Sequence, residues 1–99
     1  MKPVAYQRLA ASELVKSAEF YESRIPGLGT SFLSVIEAAL AEIRHQPQLG
    51  KPGKHDTRSW KIRRFPFRIV YLEQPERFWI VAIMHLSRAP DYWIRRLRD

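Results

Sequence analysis

The stretch Phe67-Arg68-Ile69-Val70-Tyr71-Leu72-Glu73-Gln74-Pro75-Glu76-Arg77-Phe78-Trp79-Ile80-Val81-Ala82-Ile83-Met84-His85 decides the fold. Phe67 to Leu72 and Arg77 to His85 are rich in β-branched and aromatic residues, and Glu73-Gln74-Pro75-Glu76 between them is a turn. They read as an antiparallel pair of strands. Both faces of each are largely apolar, with Ile69 and Tyr71 set against Val70 and Leu72, and Phe78 and Ile80 against Val81 and Ile83. Strands apolar on both sides belong in the middle of a sheet. Upstream, Arg58 to Phe65 alternates Trp60, Ile62 and Arg64 with Lys61 and Arg63 and reads as a third strand. Pro66, which has no N–H to donate, is confined to a turn or an edge.

Further upstream the apolar period lengthens. Ala10, Leu14, Ala18, Tyr21 and Ile25 recur at helical spacing with Glu13, Lys16, Glu19 and Glu22 on other faces. Pro26-Gly27-Leu28-Gly29 ends that helix, Thr30 or Ser31 can cap the next, and Phe32, Ile36, Ala39, Leu40 and Ile43 continue the stripe. Arg44 and His45 suit a helix C-terminus, and Pro47 stops it. Residues 46–57 are expected to run as a surface loop, and residues 3–7 as a short first strand. The expected fold class is α+β in the order βααβββ: a helical hairpin packed on a small, mainly antiparallel sheet, forming one domain over residues 1–99.

The formal charge of +7 is segregated. Residues 1–50 balance five Lys/Arg against five Glu, whereas twelve Lys/Arg in residues 51–99 face Asp56, Glu73, Glu76, Asp91 and Asp99. Such a half faces either a polyanion or an acidic partner protein, or is a solvated basic surface. The absence of cysteine removes disulfide, zinc-ribbon and thiol chemistry, no HxxxH spacing occurs, and neither a metal nor a cofactor is expected. No run approaches the roughly 20 apolar residues of a membrane span, and no signal-peptide apolar region follows Met1-Lys2-Pro3. The expected location is cytoplasmic, away from membranes.

Several stretches taken in order resemble the RelE/ParE toxins, in particular the plasmid-stabilisation branch. They are Phe20-Tyr21-Glu22, Pro26-Gly27-Leu28-Gly29 with Phe32 and Leu33, the run from Arg63 to Tyr71, and Ile83-Met84-His85-Leu86-Ser87-Arg88-Ala89-Pro90-Asp91-Tyr92-Trp93. The resemblance implies a growth-inhibiting toxin of a type II toxin-antitoxin system, held in a hetero-oligomer by a cognate small acidic antitoxin. Some members of the family inhibit DNA gyrase, and others are ribosome-dependent mRNA endoribonucleases that use no metal.

In the nuclease branch the resemblance places phosphate-facing cations at Lys61, Arg63, Arg68 and Arg88, with His85 or Tyr92 in proton transfer. The tyrosine those nucleases carry six residues beyond the last arginine falls on Ile94 here, and the loop between the first two sheet strands is shorter. His85 reads either as a general base or as a strand-end histidine bonded to backbone. Arg68, inside an apolar strand, must reach solvent, a phosphate or a carboxylate, with Glu73, Asp91 and the C-terminal carboxylate as candidate partners. Lys61, Arg63, Arg64, Arg95 and Arg96 are candidates for nucleic-acid or target binding. Trp60, Trp79 and Trp93 either stack bases or anchor core and tail. In the tail from Pro90, Tyr92-Trp93 reads as an aromatic anchor that fixes a basic edge of Arg95, Arg96 and Arg98, and residues 94–99 are expected to contribute little burial. The leading expectation is a ParE-like gyrase inhibitor, followed by a RelE-like endoribonuclease and a plain basic nucleic-acid-binding domain.

Overall fold

The computed structural model describes residues 2–98. Its elements are β1 (Val4–Tyr6), α1 (Arg8–Arg24), α2 (Leu28–His45), β2 (Lys51–Pro52), β3 (Arg58–Lys61), β4 (Phe67–Glu73) and β5 (Phe78–His85), followed by a 3₁₀ tail, Ile94–Arg98. The five strands form one sheet in the order β1-β5-β4-β3-β2. The β2–β3, β3–β4 and β4–β5 pairings are antiparallel, and β1 joins β5 in parallel with Val4 opposite Phe78. The expected α+β architecture is present, with β4 and β5 central.

The helical hairpin covers one face of the sheet. Phe32, Ile36, Leu40 and Ile43 of α2 and Ala10 of α1 pack on Ile69, Tyr71, Phe78, Ile80 and Ile83, and Tyr21, Phe32, Phe65 and Phe67 interlock their rings around them. The other face has its own core. Val70, Trp79, Val81, Ala82 and Met84 are covered by Trp93, with Tyr92, Ile94 and Leu97 around it. Trp93 thus anchors the tail as expected, while Ile94, Arg96 and Leu97 add to a packed layer, contrary to the expectation that residues 94–99 bury little. Trp79 and Trp93 are inside, and neither offers a base-stacking face.

A bulge divides β5. Val70 pairs with Ala82 but Tyr71 with Ile80, which leaves Val81 as the extra residue. An inserted residue inverts the alternation beyond it, so Ile83 shares the helix-facing side with Phe78 and Ile80, while Val81 and Ala82 both look toward the tail. The expected pairing of Val81 with Ile83 on one face is corrected by this insertion.

Three boundaries also move. β3 stops at Lys61, not Phe65, because Pro66 follows and Arg64 takes the left-handed conformation, φ 67°, in a turn closed by a bond from the Phe65 N–H to the Arg63 carbonyl. α2 starts before Thr30, at Leu28. Gly27 in the left-handed conformation, φ 88°, reverses the chain, and Glu22 reaches over from α1 to accept from the Gly27 and Gly29 N–H groups at 2.8 and 3.0 Å. A Cβ on Gly29 would lie 2.5 Å from the Ala18 carbonyl oxygen, so the hairpin's close approach needs glycine there. Residues 46–57 are not a featureless loop. They include β2 and are pinned by the Tyr71 hydroxyl, which donates to the Pro47 carbonyl at 2.6 Å, and by Arg58, which donates to the Gln48 and Gly50 carbonyls.

Candidate functional site

At the end of β5, His85 lies opposite Phe67 and on the same side of the sheet, ring centroids 5.1 Å apart and nearly perpendicular. α1 runs past this point and brings Glu13, Lys16, Ser17, Phe20 and Tyr21, while the chain leaving β5 returns Arg88 and Tyr92. Together they enclose a cleft of about 380 Å³, walled by aromatic rings and rimmed by cations. His85 Nδ1 accepts from the Ser87 N–H at 3.0 Å and lies 2.7 Å from the Ser87 hydroxyl. The backbone bond read as one alternative for His85 is thus present, and in the neutral ring the proton stands on Nε2.

Behind the cleft Glu13 joins three elements. Arg96 donates to both its oxygens at 2.8 and 2.9 Å, the Tyr92 hydroxyl donates at 2.7 Å, and the Ile83 N–H at 3.1 Å. Arg96 also donates to the Val81 carbonyl at 3.0 Å. Local geometry explains the demand. β1 pairs only with Phe78 to Ile80, so the edge of β5 beyond it would expose unpaired peptide groups, and the Glu13–Arg96 pair caps Ile83 N–H and Val81 C=O. Burial pushes the Glu13 carboxyl up, but bonds from Arg96 and Tyr92, the Arg96 charge and the Ile83 N–H outweigh it and hold the group below its ordinary value. Burial first, and then the bond to Glu13, push the Tyr92 hydroxyl above its ordinary value.

This network corrects the expected role of Arg96. Its side chain is buried against Glu13 and does not belong to an exposed basic edge, whereas Arg95 is exposed on the tail. Arg88 stays exposed and lays its guanidinium 3.9 Å from the Tyr92 ring centroid.

The other cations stand elsewhere. Arg68 is directly opposite Lys61 on β3 and Met84 on β5, on the tail-covered side of the sheet. Its Nε donates to the Ser59 hydroxyl at 2.9 Å. Neither expected carboxylate reaches it, because Glu73 pairs with Lys2 and Asp91 with Lys54; the C-terminal carboxylate lies outside the described residues. Lys51, Leu49 and Trp60 complete an open concavity around Ser59, Lys61 and Arg68. Like charges directly across a strand pair oppose folding, and among the described residues no carboxylate forms an ion pair with either. Arg63 and Arg64 project from the β3–β4 turn beside Ala38 and Glu42 of α2, with Arg64 5.2 Å from the Phe65 ring centroid.

His85, Arg88 and Tyr92 are therefore gathered in one cleft, Lys61 and Arg68 in another on the opposite face, and Arg63 and Arg64 at a third place. Sequence reading missed Glu13, Lys16 and Phe20, which lie on a helix whose charged positions all read as solvent-facing. Among the described residues no three His, Asp or Glu side chains are grouped so as to hold a metal ion.

The model of the family described as ParE toxin of type II toxin-antitoxin system, parDE, matches residues 4–90. A solved structure titled chromosomal ParDE TA system from P. aeruginosa superposes with a TM-score of 0.75 over 88% of this chain and 98% of that one. Their sequences are 18% identical, so this likeness speaks for the fold. No curated protein sequence matches the chain.

Proposed function

We propose that this chain, which belongs to the ParE toxin family of type II toxin-antitoxin systems, arrests growth by binding DNA gyrase, and is neutralised by a small acidic antitoxin in the cytoplasm. Residues 1–99 act as one domain in this reading. The observation that carries the choice of a binding inhibitor over a nuclease is the division of the candidate groups between sheet faces. Metal-free RNA cleavage needs a base, an acid and charge-stabilising cations around a single phosphate. Here His85 shares the helix-facing side with Phe67, while Lys61 and Arg68 share the other side with Met84. The Tyr92 hydroxyl donates to Glu13, and Ile94 stands where the nuclease tyrosine would be.

The basic residues then serve as contacts. Lys61, Arg63, Arg64, Arg68 and Arg95 offer half-buried or exposed cations to an acidic surface of the target or to DNA held by it. In purified assays the protein is expected to inhibit supercoiling by gyrase at near-stoichiometric amounts and to leave ribosome-bound mRNA intact. Cleavage of mRNA in the ribosomal A site with supercoiling untouched would reject the gyrase reading.

A further inference from the structure

We infer that the outer edge of β1 and the adjoining stripe of α2 form a two-fold interface with a second copy of this chain. β1 ends the sheet. Pro3 C=O accepts from Phe78 N–H and Gln7 N–H donates to Ile80 C=O, both at 2.9 Å. Alternation then turns Ala5 toward β5 as well, and leaves Val4 and Tyr6 aiming their peptide groups away from the sheet. Among the described residues no strand covers that edge, and an open edge is a template for another chain. Three residues are too few to hold two copies, but α2 lies beside the strand. Val4, Tyr6, Glu37, Leu40, Ala41 and Arg44 line a concavity of about 290 Å³ there. Among the described residues the buried Tyr6 hydroxyl and Arg44 Nε find no hydrogen-bond partner, and neither Glu37 nor Arg44 forms an ion pair.

Self-complementarity selects the occupant. A two-fold axis between antiparallel β1 strands sets Val4 of each copy opposite Tyr6 of the other, where the outward peptide groups exchange bonds in both directions. The same axis runs the two α2 helices antiparallel. Glu37 and Arg44 stand about two helical turns apart with exposed Ala41 between them. A crossing at Ala41, small enough for close approach, sets Glu37 of each copy beside Arg44 of the other. The incoming carboxylate can accept from the Arg44 Nε and the Tyr6 hydroxyl, supplying both missing partners. Net charge does not oppose this approach. Residues 1–50 sum to zero, while Lys51, Lys61, Arg63 and Arg64 belong to β2, β3 and the β3–β4 turn, on the far side of the sheet. A nucleic acid would be repelled by Glu37 and would find one arginine to hold it.

The test is a charge swap on the purified full chain, read by sedimentation equilibrium. The parent should form a reversible dimer at micromolar concentration. Glu37→Arg and Arg44→Glu should each fold like the parent by circular dichroism and bind themselves at least tenfold more weakly, because each sets like charges across the axis twice. An equimolar mixture of the two variants should recover the dimer, since every contact then joins opposite charges, and a folding defect could not produce that recovery. The chain carrying both substitutions should dimerise as well. A parent that stays monomeric at its highest soluble concentration would overturn the proposal, as would single variants that dimerise as tightly as the parent. Failure of the mixture and of the doubly substituted chain to dimerise would also overturn it. Amide exchange followed by NMR tests the strand: the Tyr6 N–H should exchange at least tenfold more slowly in the parent dimer than in either single variant, and equal rates would remove β1 from the interface.

Discussion

Glu13 answers three demands with one carboxylate: it balances Arg96, accepts from Tyr92, and caps the Ile83 N–H left open where β1 ends. Removing one side of such a partly buried pair leaves the other uncompensated, so Glu13→Ala should cost about 3 kcal/mol. Denaturant melts at pH 7 measure this, and a loss below about 1 kcal/mol would show that the network is ornamental. The pH dependence has a definite sign. The folded carboxyl sits below its ordinary value, so its stabilisation is complete above the ordinary carboxylate range and is lost as pH falls through the lower folded value. The stability gap between parent and Glu13→Gln should therefore be constant near neutrality and shrink under acid. None of this was legible in the sequence. A Glu among Lys16, Glu19 and Glu22 looks like any solvated helix position, and its partner Arg96 lies 83 residues away.

Among the elements, the central strands and the α2 stripe were legible because their burial follows local periodicity, whereas on α1 Ala10 alone is buried and Ile25, read as the end of its stripe, leaves the helix in extended backbone and is 58% exposed. Ala10, Phe32, Ile36, Ala39, Leu40 and Ile43 all face the core as spaced. What depended on partners was not legible. The Val81 bulge exists only relative to the register of β4, β2 is two residues long, and α2 is capped by a glutamate from α1. The tail was misread for the same reason. Its Arg-rich composition hid the fact that Ile94 and Leu97 pack on the second core and Arg96 caps β5. Deleting residues 94–99 should accordingly lower stability by several kcal/mol, a large part of the roughly 5–15 kcal/mol typical of a domain. Arg95→Ala with Arg98→Ala, which alters only exposed positions, should keep the melting temperature within a few degrees and weaken gyrase inhibition. If the deletion variant melts like the parent, the tail is not a structural layer, and the original reading of it stands.

At the scale of the whole molecule, the fold separates two kinds of surface that the sequence could only report as one excess of positive charge. The helix-facing side ends in an aromatic cleft with a few cations, while the tail-covered side and the β3–β4 turn carry Lys51, Lys61, Arg68, Arg63 and Arg64 around Ser59 and Trp60. Among the described residues, Lys54 and Arg96 are the cations of the 51–99 half engaged with carboxylates, so most of the excess remains available to steer an encounter. Steering by exposed charge is an association-rate effect that salt screens, with a screening length of about 10 Å at 0.1 M and 3 Å at 1 M. Association of the purified chain with gyrase, followed by surface plasmon resonance between 50 and 500 mM KCl, should slow by at least tenfold while dissociation changes much less. Replacing Lys61 and Arg68 with Gln should flatten that dependence, and should not lower stability, since it relieves a repulsive cross-strand pair. Salt-insensitive association would mean that the basic face plays no part in finding the target. An unchanged slope in the Gln variant would move the steering to Arg63, Arg64 and the tail arginines. A clear loss of stability in that variant would mean instead that Arg68 holds the sheet through Ser59, and that the cations were kept for the fold.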